Sequence, residues 1–501
     1  FALIDINKRL LILGTERSAQ KPLKIHRNKD GIFFSSELKS MFPCLDSRSL
    51  NPNAVRTFLS IGYSLEPQTI LKEVDTAEPG ALSIFCYDGE YVRKYWNPKI
   101  ECSDMIYDLE KWKGVADAVF KKAIKRHLLS DVPITLFLSG GVDSMLISSY
   151  LSEEKTIKKA YTGSFVSQEG HDEYDFARQA GSYFGFEVER VRLDNRILSD
   201  NLEDFLSTAS MPQGDYSGLA AYCMAKEVSK EYRVVLGGDG GDELFGGYPT
   251  YTFPYMSKRY SFIPKAAING LRRFASIWFD KNEYMSAPFK LQQLSLAWGR
   301  QTVNAHFALK DFLPDPLASQ ILNESFFKEN FFTDAAVKVF KGYYSDLTFV
   351  DDISKLSWVD YNTFLRSATI PKVERNTMLS SLEARLPYLD NEIIALGLRT
   401  HSSLKVRGMR TKLCLKSLLQ DKIRGKVRLN PVKQGFSPPL AFMFENELKP
   451  WKEHWLNFKT PFFKDGFAKS LSKWRGKGWD LHRLEWNICT LSDWCYRNKL
   501  T

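Results

Sequence analysis

Cysteine is scarce and has no pairing pattern. The seven residues Cys44, Cys86, Cys102, Cys223, Cys414, Cys489 and Cys495 are odd in number, widely spaced, and form no Cys-x-x-Cys or Cys/His cluster. This spacing excludes a structural zinc site and a secreted disulfide framework, and it fits a reducing cytosol. Long apolar runs are missing too. No stretch approaches the roughly 20 apolar residues that cross a bilayer, and no charged-then-apolar leader opens the chain. A soluble, cytoplasmic protein with no membrane partner is expected. Signatures of nucleic-acid binding (helix-turn-helix, zinc finger, stacking aromatics) are also absent. The net charge of +10 comes from Lys and Arg scattered along the chain, which suits a small polyanion such as a nucleotide and predicts no nucleic-acid partner. The chain opens on a strand-like Phe-Ala-Leu-Ile-Asp without an initiator Met, so a longer native polypeptide is expected.

What is present is an ordinary globular composition, 44% hydrophobic and 26% charged over 501 residues, too long for one core. Up to about residue 98, short apolar runs at Leu10 to Leu13, Gly31 to Ser35 and Ala81 to Cys86 are bounded by turn residues. They predict antiparallel β structure. Beyond Asn97-Pro98 the pattern changes. Apolar runs at Ile134 to Leu138, Lys159 to Gly163, Val188 to Leu193 and Val234 to Leu236 are separated by amphipathic stretches, which predicts a parallel sheet covered by helices. From about Tyr255 the chain reads as helical. Ligands of parallel sheets sit beyond the carboxyl ends of the strands, so the residues just after each run carry the functional signal.

Two such loops stand out. Ser139-Gly140-Gly141-Val142-Asp143-Ser144 follows a buried strand and opens a helix. Its glycines admit a ligand to the backbone, and successive N–H groups with a helix N-terminus cradle an anion. It lacks the Gly-Lys-Ser/Thr of a Walker loop. Taken alone it is also compatible with a plain Gly-Gly turn. Gly237-Gly238-Asp239-Gly240-Gly241-Asp242-Glu243 places three carboxylates among glycines after another strand, an arrangement that repels itself unless a cation is present. Asp143 and Asp242 are candidates to share Mg²⁺ with triphosphate oxygens. A solvated acidic turn is the alternative. Two later segments, Leu382-Glu383-Ala384-Arg385-Leu386-Pro387-Tyr388-Leu389-Asp390 and Lys433-Gln434-Gly435-Phe436, read singly as a polar helix face and a solvated lysine.

In this order and spacing, the four segments resemble the glutamine-dependent asparagine synthetase family across almost the whole chain. The resemblance implies an α/β architecture: a parallel-sheet pyrophosphate-loop ATPase (adenine nucleotide alpha hydrolase-like) synthetase domain over residues 101–501. A partial N-terminal-nucleophile αββα sandwich over 1–100, a glutamine amidotransferase fragment, would precede it. ATP and Mg²⁺ are the implied cofactors. Ser139, Gly140, Gly141, Asp143, Ser144, Gly238 and Gly240 would hold ATP and its pyrophosphate, with Ser164 on the adenine and ribose wall and Asp143 and Asp242 on the metal. Lys433, Asp239 and Glu383 are the implied catalytic residues, Lys433 stabilising charge at the α-phosphorus and one of the acids accepting a proton from ammonia. Asp172-Glu173 would line the same cleft, and Arg375 with Asp215 would bind the acceptor.

The implied reaction adenylates aspartate and lets ammonia, free or glutamine-derived, displace AMP to give asparagine, in a protein expected to dimerise. Other carboxylates, such as a sugar acid or a lactam precursor, and a non-catalytic nucleotide-binding relative are the alternatives the motifs leave open. In the family the glutaminase nucleophile is an amino-terminal Cys. No cysteine here has that position, and the mechanism needs the free α-amino group of that Cys.

Overall fold

The computed structural model describes every residue except 99, 166–172, 279–285, 329–333, 349, 428–435 and 501. The early apolar alternation folds as two antiparallel sheets. β1 (Ala2–Asp5), β2 (Leu10–Gly14), β6 (Ala81–Cys86) and β7 (Gly89–Lys94) form one, in the order β1-β2-β6-β7. β3 (Lys24–Asn28), β4 (Gly31–Ser35) and β5 (Val74–Thr76) form the other, in the order β4-β3-β5. Leu13, Ile25, Ala77 and Phe85 cluster as their shared core.

One α-helix, α1 (Pro52–Ile61), is found among the described residues of this region. The Asn51 side chain caps its first N–H groups, and Gly62 ends it at φ 87°, a left-handed turn that favours glycine. Val55, Phe58 and Leu59 pack with Val74 of the small sheet on one side and with Leu484, Ile488 and Leu491 of the C-terminal helix on the other. Each such side chain contributes roughly 1.5–3 kcal/mol on burial, so α1 ties the sheets to the rest of the chain.

That remainder is built on α2 (Leu109–His127), β8 (Ile134–Phe137), α3 (Val142–Glu154), β9 (Lys159–Phe165), α4 (Tyr174–Phe184), β10 (Glu187–Leu193), α5 (Ser217–Val228), β11 (Val234–Leu236) and β12 (Glu383–Arg385). The five strands are all parallel, in the order β10-β9-β8-β11-β12. Val234, Val235 and Leu236 of β11 are wholly buried, as expected where helices cover both faces. The chain runs from β8 outward to β10 on one side and then crosses to β11 on the other. The gap between β8 and β11 is therefore the topological switch point, where such sheets open a crevice.

The helical remainder includes α6 (Gly241–Phe245), α7 (Lys265–Trp278), α8 (Ala287–Ala297), α9 (Asp352–Asp360), α10 (Ile370–Met378), α11 (Leu413–Ile423) and α12 (His482–Arg497). Between α9 and α10 the helix widens to a π-helical stretch, Tyr361–Thr369. The polar helix face expected around Glu383 and Arg385 is a strand instead, because the preceding helix α10 ends before it. That helix stops at Met378, the chain turns through Ser381 at φ 55°, and Glu383–Arg385 joins the sheet edge. Glu383 N–H donates to the Arg233 carbonyl (2.8 Å), and Gly237 N–H donates to that of Arg385 (2.9 Å). Leu382, Ala384 and Leu386 are buried alternately, a period of two that belongs to a strand.

Candidate active site

The first loop grows directly out of β8. Leu138 N–H still pairs with the Tyr161 carbonyl of β9 (2.9 Å), after which Gly140 turns at φ 66° and Gly141 begins α3. A Cβ on Gly140 would stand 2.5 Å from that of Phe176, so the turn requires glycine. No side chain caps α3, and the partial positive charge of its N-terminus faces the loop. Ser139 and Ser144 hydroxyls lie 3.1 Å apart, and Ser144 Oγ accepts from Ser139 N–H at 3.2 Å. The serines thus preorganise one another around the cradle.

The second loop leaves β11 and lies against the first. A Cβ at Gly238 would fall 3.2 Å from Asp143 Cβ and 3.3 Å from Ser144 N, and one at Gly241 would fall 2.7 Å from Asp143 Oδ1. These glycines allow the two loops to touch. Gly240, at φ 96°, starts the short helix α6 that carries Asp242 and Glu243. Asp143 and Asp242 converge on one cation, the Lys412 ammonium, which pairs with Asp143 Oδ2 and sits 2.5 Å from Asp242 Oδ1. Burial alone would discharge Lys412, but the two carboxylates hold its proton affinity above the ordinary lysine value. This lysine enters from the turn before α11, at φ 54°.

A second cation lies beside the first. Lys372 Nζ on α10 bonds Asp215 Oδ2 at 3.0 Å and Ser217 Oγ at 3.2 Å. Burial would raise the Asp215 carboxyl, yet Lys372 and Ser217 hold it below the usual range. Asp239 differs. Burial pushes its proton affinity up, Asp242 and Asp143 add to that, and Lys372 opposes it. Glu243 is also buried, its Oε1 accepting from Tyr248 at 2.7 Å, and desolvation with the neighbouring Asp242 pushes its carboxyl up to about 7. One turn beyond Lys372, Arg375 donates Nη1 to the Met211 carbonyl at 3.1 Å. Its Nε and Nη2 are buried without a hydrogen-bond partner among the described residues, and burial lowers its proton affinity to about 10 against the pull of Glu37.

The structure therefore brings Ser139, Gly140, Gly141, Asp143, Ser144, Gly238, Asp239, Gly240 and Asp242 together at the switch point. Asp215, just ahead of α5, meets Lys372 of α10, and Arg375 lies one turn further along α10 against the Met211 carbonyl. Ser164 is near the end of β9 but is engaged by its neighbour: its Oγ accepts from Arg190 Nε (2.9 Å) and Nη2 (2.7 Å). Glu383 is not brought in. It stands level with Val234 at the start of β11, and Arg385 Nε binds it at 2.8 Å. Arg385 also donates to the His127 carbonyl at 2.9 Å. The physical reason is register, since a strand residue two places before the carboxyl end is roughly 7 Å from the crevice.

Lys433 and Asp172 lie outside the described residues. Phe436 does not: its ring packs at 5.3 Å on Phe165, and a Cβ at Gly163 would strike it. Phe436 thus sits at the mouth of β9. Sequence reasoning missed Lys372 and Lys412, because each is a single lysine in an unremarkable segment. Asp143 and Asp242 fit a hard divalent cation. Two convergent carboxylates supply oxygen ligands of the kind Mg²⁺ takes alongside substrate phosphates, and one cationic group already sits between them. Among the described residues no group of three or more His, Cys, Asp or Glu gathers as a metal cage, which leaves the remaining ligands to substrate and water.

A parallel sheet that presents a serine-glycine anion cradle and a carboxylate pair at its switch point defines the pyrophosphate-loop class of ATP-using enzymes. Residues 116–495, well over half of the chain, match the asparagine synthase family, and residues 1–96 match the glutamine amidotransferase domain. The chain belongs to the asparagine synthase family and is an amide-forming ligase that uses ATP. It is 26% identical over 456 residues to glutamine-hydrolysing asparagine synthetase 1 of Bacillus subtilis, covering 90% of this chain and 69% of that one. It is 30% identical over 268 residues to putative glutamine-hydrolysing asparagine synthetase 2 of Methanocaldococcus jannaschii (53% and 52% covered). It is also 27% identical over 279 residues to amidase chyE of Penicillium rubens (52% and 41% covered).

Proposed function

We propose that the chain makes asparagine by activating the side-chain carboxylate of aspartate with ATP and passing ammonia to the acyl carbon. The observation that carries this reading is the convergence of Asp143 and Asp242 on one cation beside the Ser139 to Ser144 cradle. The loop N–H groups and serine hydroxyls take the pyrophosphate oxygens, and Lys412 adds a fixed positive charge to them. Asp143 and Asp242 would hold Mg²⁺, which would supply further charge neutralisation for the triphosphate. A carboxylate oxygen attacks the α-phosphorus, an O–P bond forms, and the bond to pyrophosphate breaks. Lys433 stabilises the developing negative charge there.

Ammonia then attacks the acyl carbon. The C–N bond forms, AMP leaves with the C–O electron pair, and the nitrogen sheds a proton. Asp239, whose proton affinity burial raises, is the acceptor nearest the cleft. The free Nε/Nη2 edge of Arg375 matches a carboxylate bidentately, which favours an acceptor with a second carboxylate over a sugar acid or a lactam precursor. Ammonia released from glutamine by an amidotransferase unit is the proposed nitrogen source.

Aspartate-dependent exchange of labelled pyrophosphate into ATP tests the first half-reaction. Wild-type protein should exchange, and Asp143→Ala and Lys433→Ala should not. Retained exchange in either variant sinks the assignment. A panel of carboxylates assayed for AMP release tests the acceptor, with Arg375→Ala expected to raise KM for aspartate more than it lowers kcat. AMP release with another acid alone replaces aspartate, and none with any acid leaves a nucleotide-binding relative.

A further inference from the structure

We propose that α7 and the turn before it form a surface that lies in the headgroup region of an anionic membrane. The inner face of α7 is anchored. Ile268 and Ala275 are buried, and Ile268 clusters with Phe253, Ala297 and Trp298. Arg272 stacks 4.8 Å from the Trp479 ring and donates to the Lys477 and Gly478 carbonyls. The helix is therefore fixed in orientation, and its opposite face is presented to solvent by the fold.

That opposite face is apolar. Phe262 is 78% exposed, Leu271 53%, Phe274 56%, Ile277 77% and Trp278 72%. Leu271, Phe274 and Trp278 are spaced i, i+3, i+7 and share one stripe, with Ile277 on its border. A soluble surface rarely leaves so many large side chains contiguous without an occupant. Charge selects that occupant. From Glu243 to Asp280 the sequence has no acidic residue between, and it has five basic ones, Lys258, Arg259, Lys265, Arg272 and Arg273. Arg272 is turned inward, while Lys258, Arg259, Lys265 and Arg273 are exposed.

A two-faced helix that itself carries no acid, with aromatic and aliphatic residues on the outside and cations on it and ahead of it, matches an anionic lipid leaflet. At 14 residues α7 is about 21 Å long, and no helix of the described chain is long and apolar enough to cross a membrane. The contact is in-plane. Such a contact needs no spanning segment, whose absence underlies the expectation of no membrane partner. It does not depend on the acceptor chemistry proposed above.

The test is co-sedimentation of the whole chain with mixed phosphatidylcholine and phosphatidylglycerol vesicles, with pure phosphatidylcholine as the neutral arm and tryptophan emission as the second readout. The native chain should bind the anionic vesicles, bind the neutral ones far more weakly, and shift its emission to the blue. Lys265→Gln and Arg273→Gln should each weaken binding roughly fivefold. The double variant Phe274→Asp, Trp278→Asp should abolish binding while keeping the thermal midpoint of the native chain. Absence of binding by the native chain, or binding that survives the double variant, overturns the proposal. So does a native dimer that dissociates in the double variant, which would assign the face to a second copy.

Discussion

Lys412 places one ammonium between two carboxylates that would otherwise repel. Removing one partner of a buried charge cluster typically costs about 3–5 kcal/mol because the remaining charges lose their balance. Lys412→Met should therefore lower the thermal midpoint in the presence of chelator, and millimolar magnesium should restore part of the loss. Wild-type protein, with the cation in place, should gain less from magnesium. Equal midpoints for the two proteins in chelator would show that the pair does not need its lysine.

Glu243 yields a prediction with a definite sign. Its folded-state carboxyl lies near 7, above the ordinary 4.5, so the fold prefers it neutral. The stability this contributes is complete below the ordinary value and is lost as pH rises through about 7. Glu243→Gln keeps an acceptor for Tyr248 and removes the titration. Urea unfolding between about pH 5 and 8 should show a flatter profile, with a gain on the order of 3 kcal/mol at the upper end. A steeper fall with pH in the variant would contradict the assignment.

At the scale of elements, the two loops work because glycine lets them approach each other. Gly140 combines a left-handed φ with a Cβ position 2.5 Å from Phe176 Cβ and 3.1 Å from its backbone. Gly140→Ala should cost about 1–3 kcal/mol in strain and displace the Ser139 to Ser144 cradle. Chemical denaturation reads the first effect and pyrophosphate exchange the second. Undiminished exchange would mean that the turn tolerates a side chain. These loops were legible in the sequence, since β8 and β11 are continuous apolar runs and each is followed at once by Gly and Asp. β12 was not. Three residues carry too little periodicity to outweigh the helical pattern ahead of them, and only pairing with β11 makes Glu383–Arg385 a strand.

At the scale of the whole molecule, the antiparallel sheets are fastened to the synthetase core along the π-helical stretch. Arg366 reaches Glu66 at 2.9 Å with both side chains largely buried. The Tyr361 and Ser18 hydroxyls meet at 2.9 Å, and Trp96 packs 6.0 Å from both Trp358 and Tyr361. Such a seam predicts one cooperative unfolding transition for the chain. Arg366→Ala leaves the Glu66 carboxylate buried and unbalanced, at a cost of about 3–5 kcal/mol, and scanning calorimetry should then resolve two transitions. A single unshifted peak would show that α1 and its apolar contacts hold the parts together without the ion pair.

The sequence by itself determined where the backbone turns and which residues end up after strands, because apolar runs and glycines act locally. It thereby marked Ser139 to Ser144, Asp239 and Asp242. Tertiary structure alone decided which cations meet those acids. Lys372 and Lys412 arrive from segments far along the chain, and charge acts through space with no trace in local pattern. It also decided that Glu383 stands level with Val234 and pairs with Arg385, and that the apolar stripe of α7 faces outward. A helix pattern reports that two faces exist, and only packing determines which of them is covered.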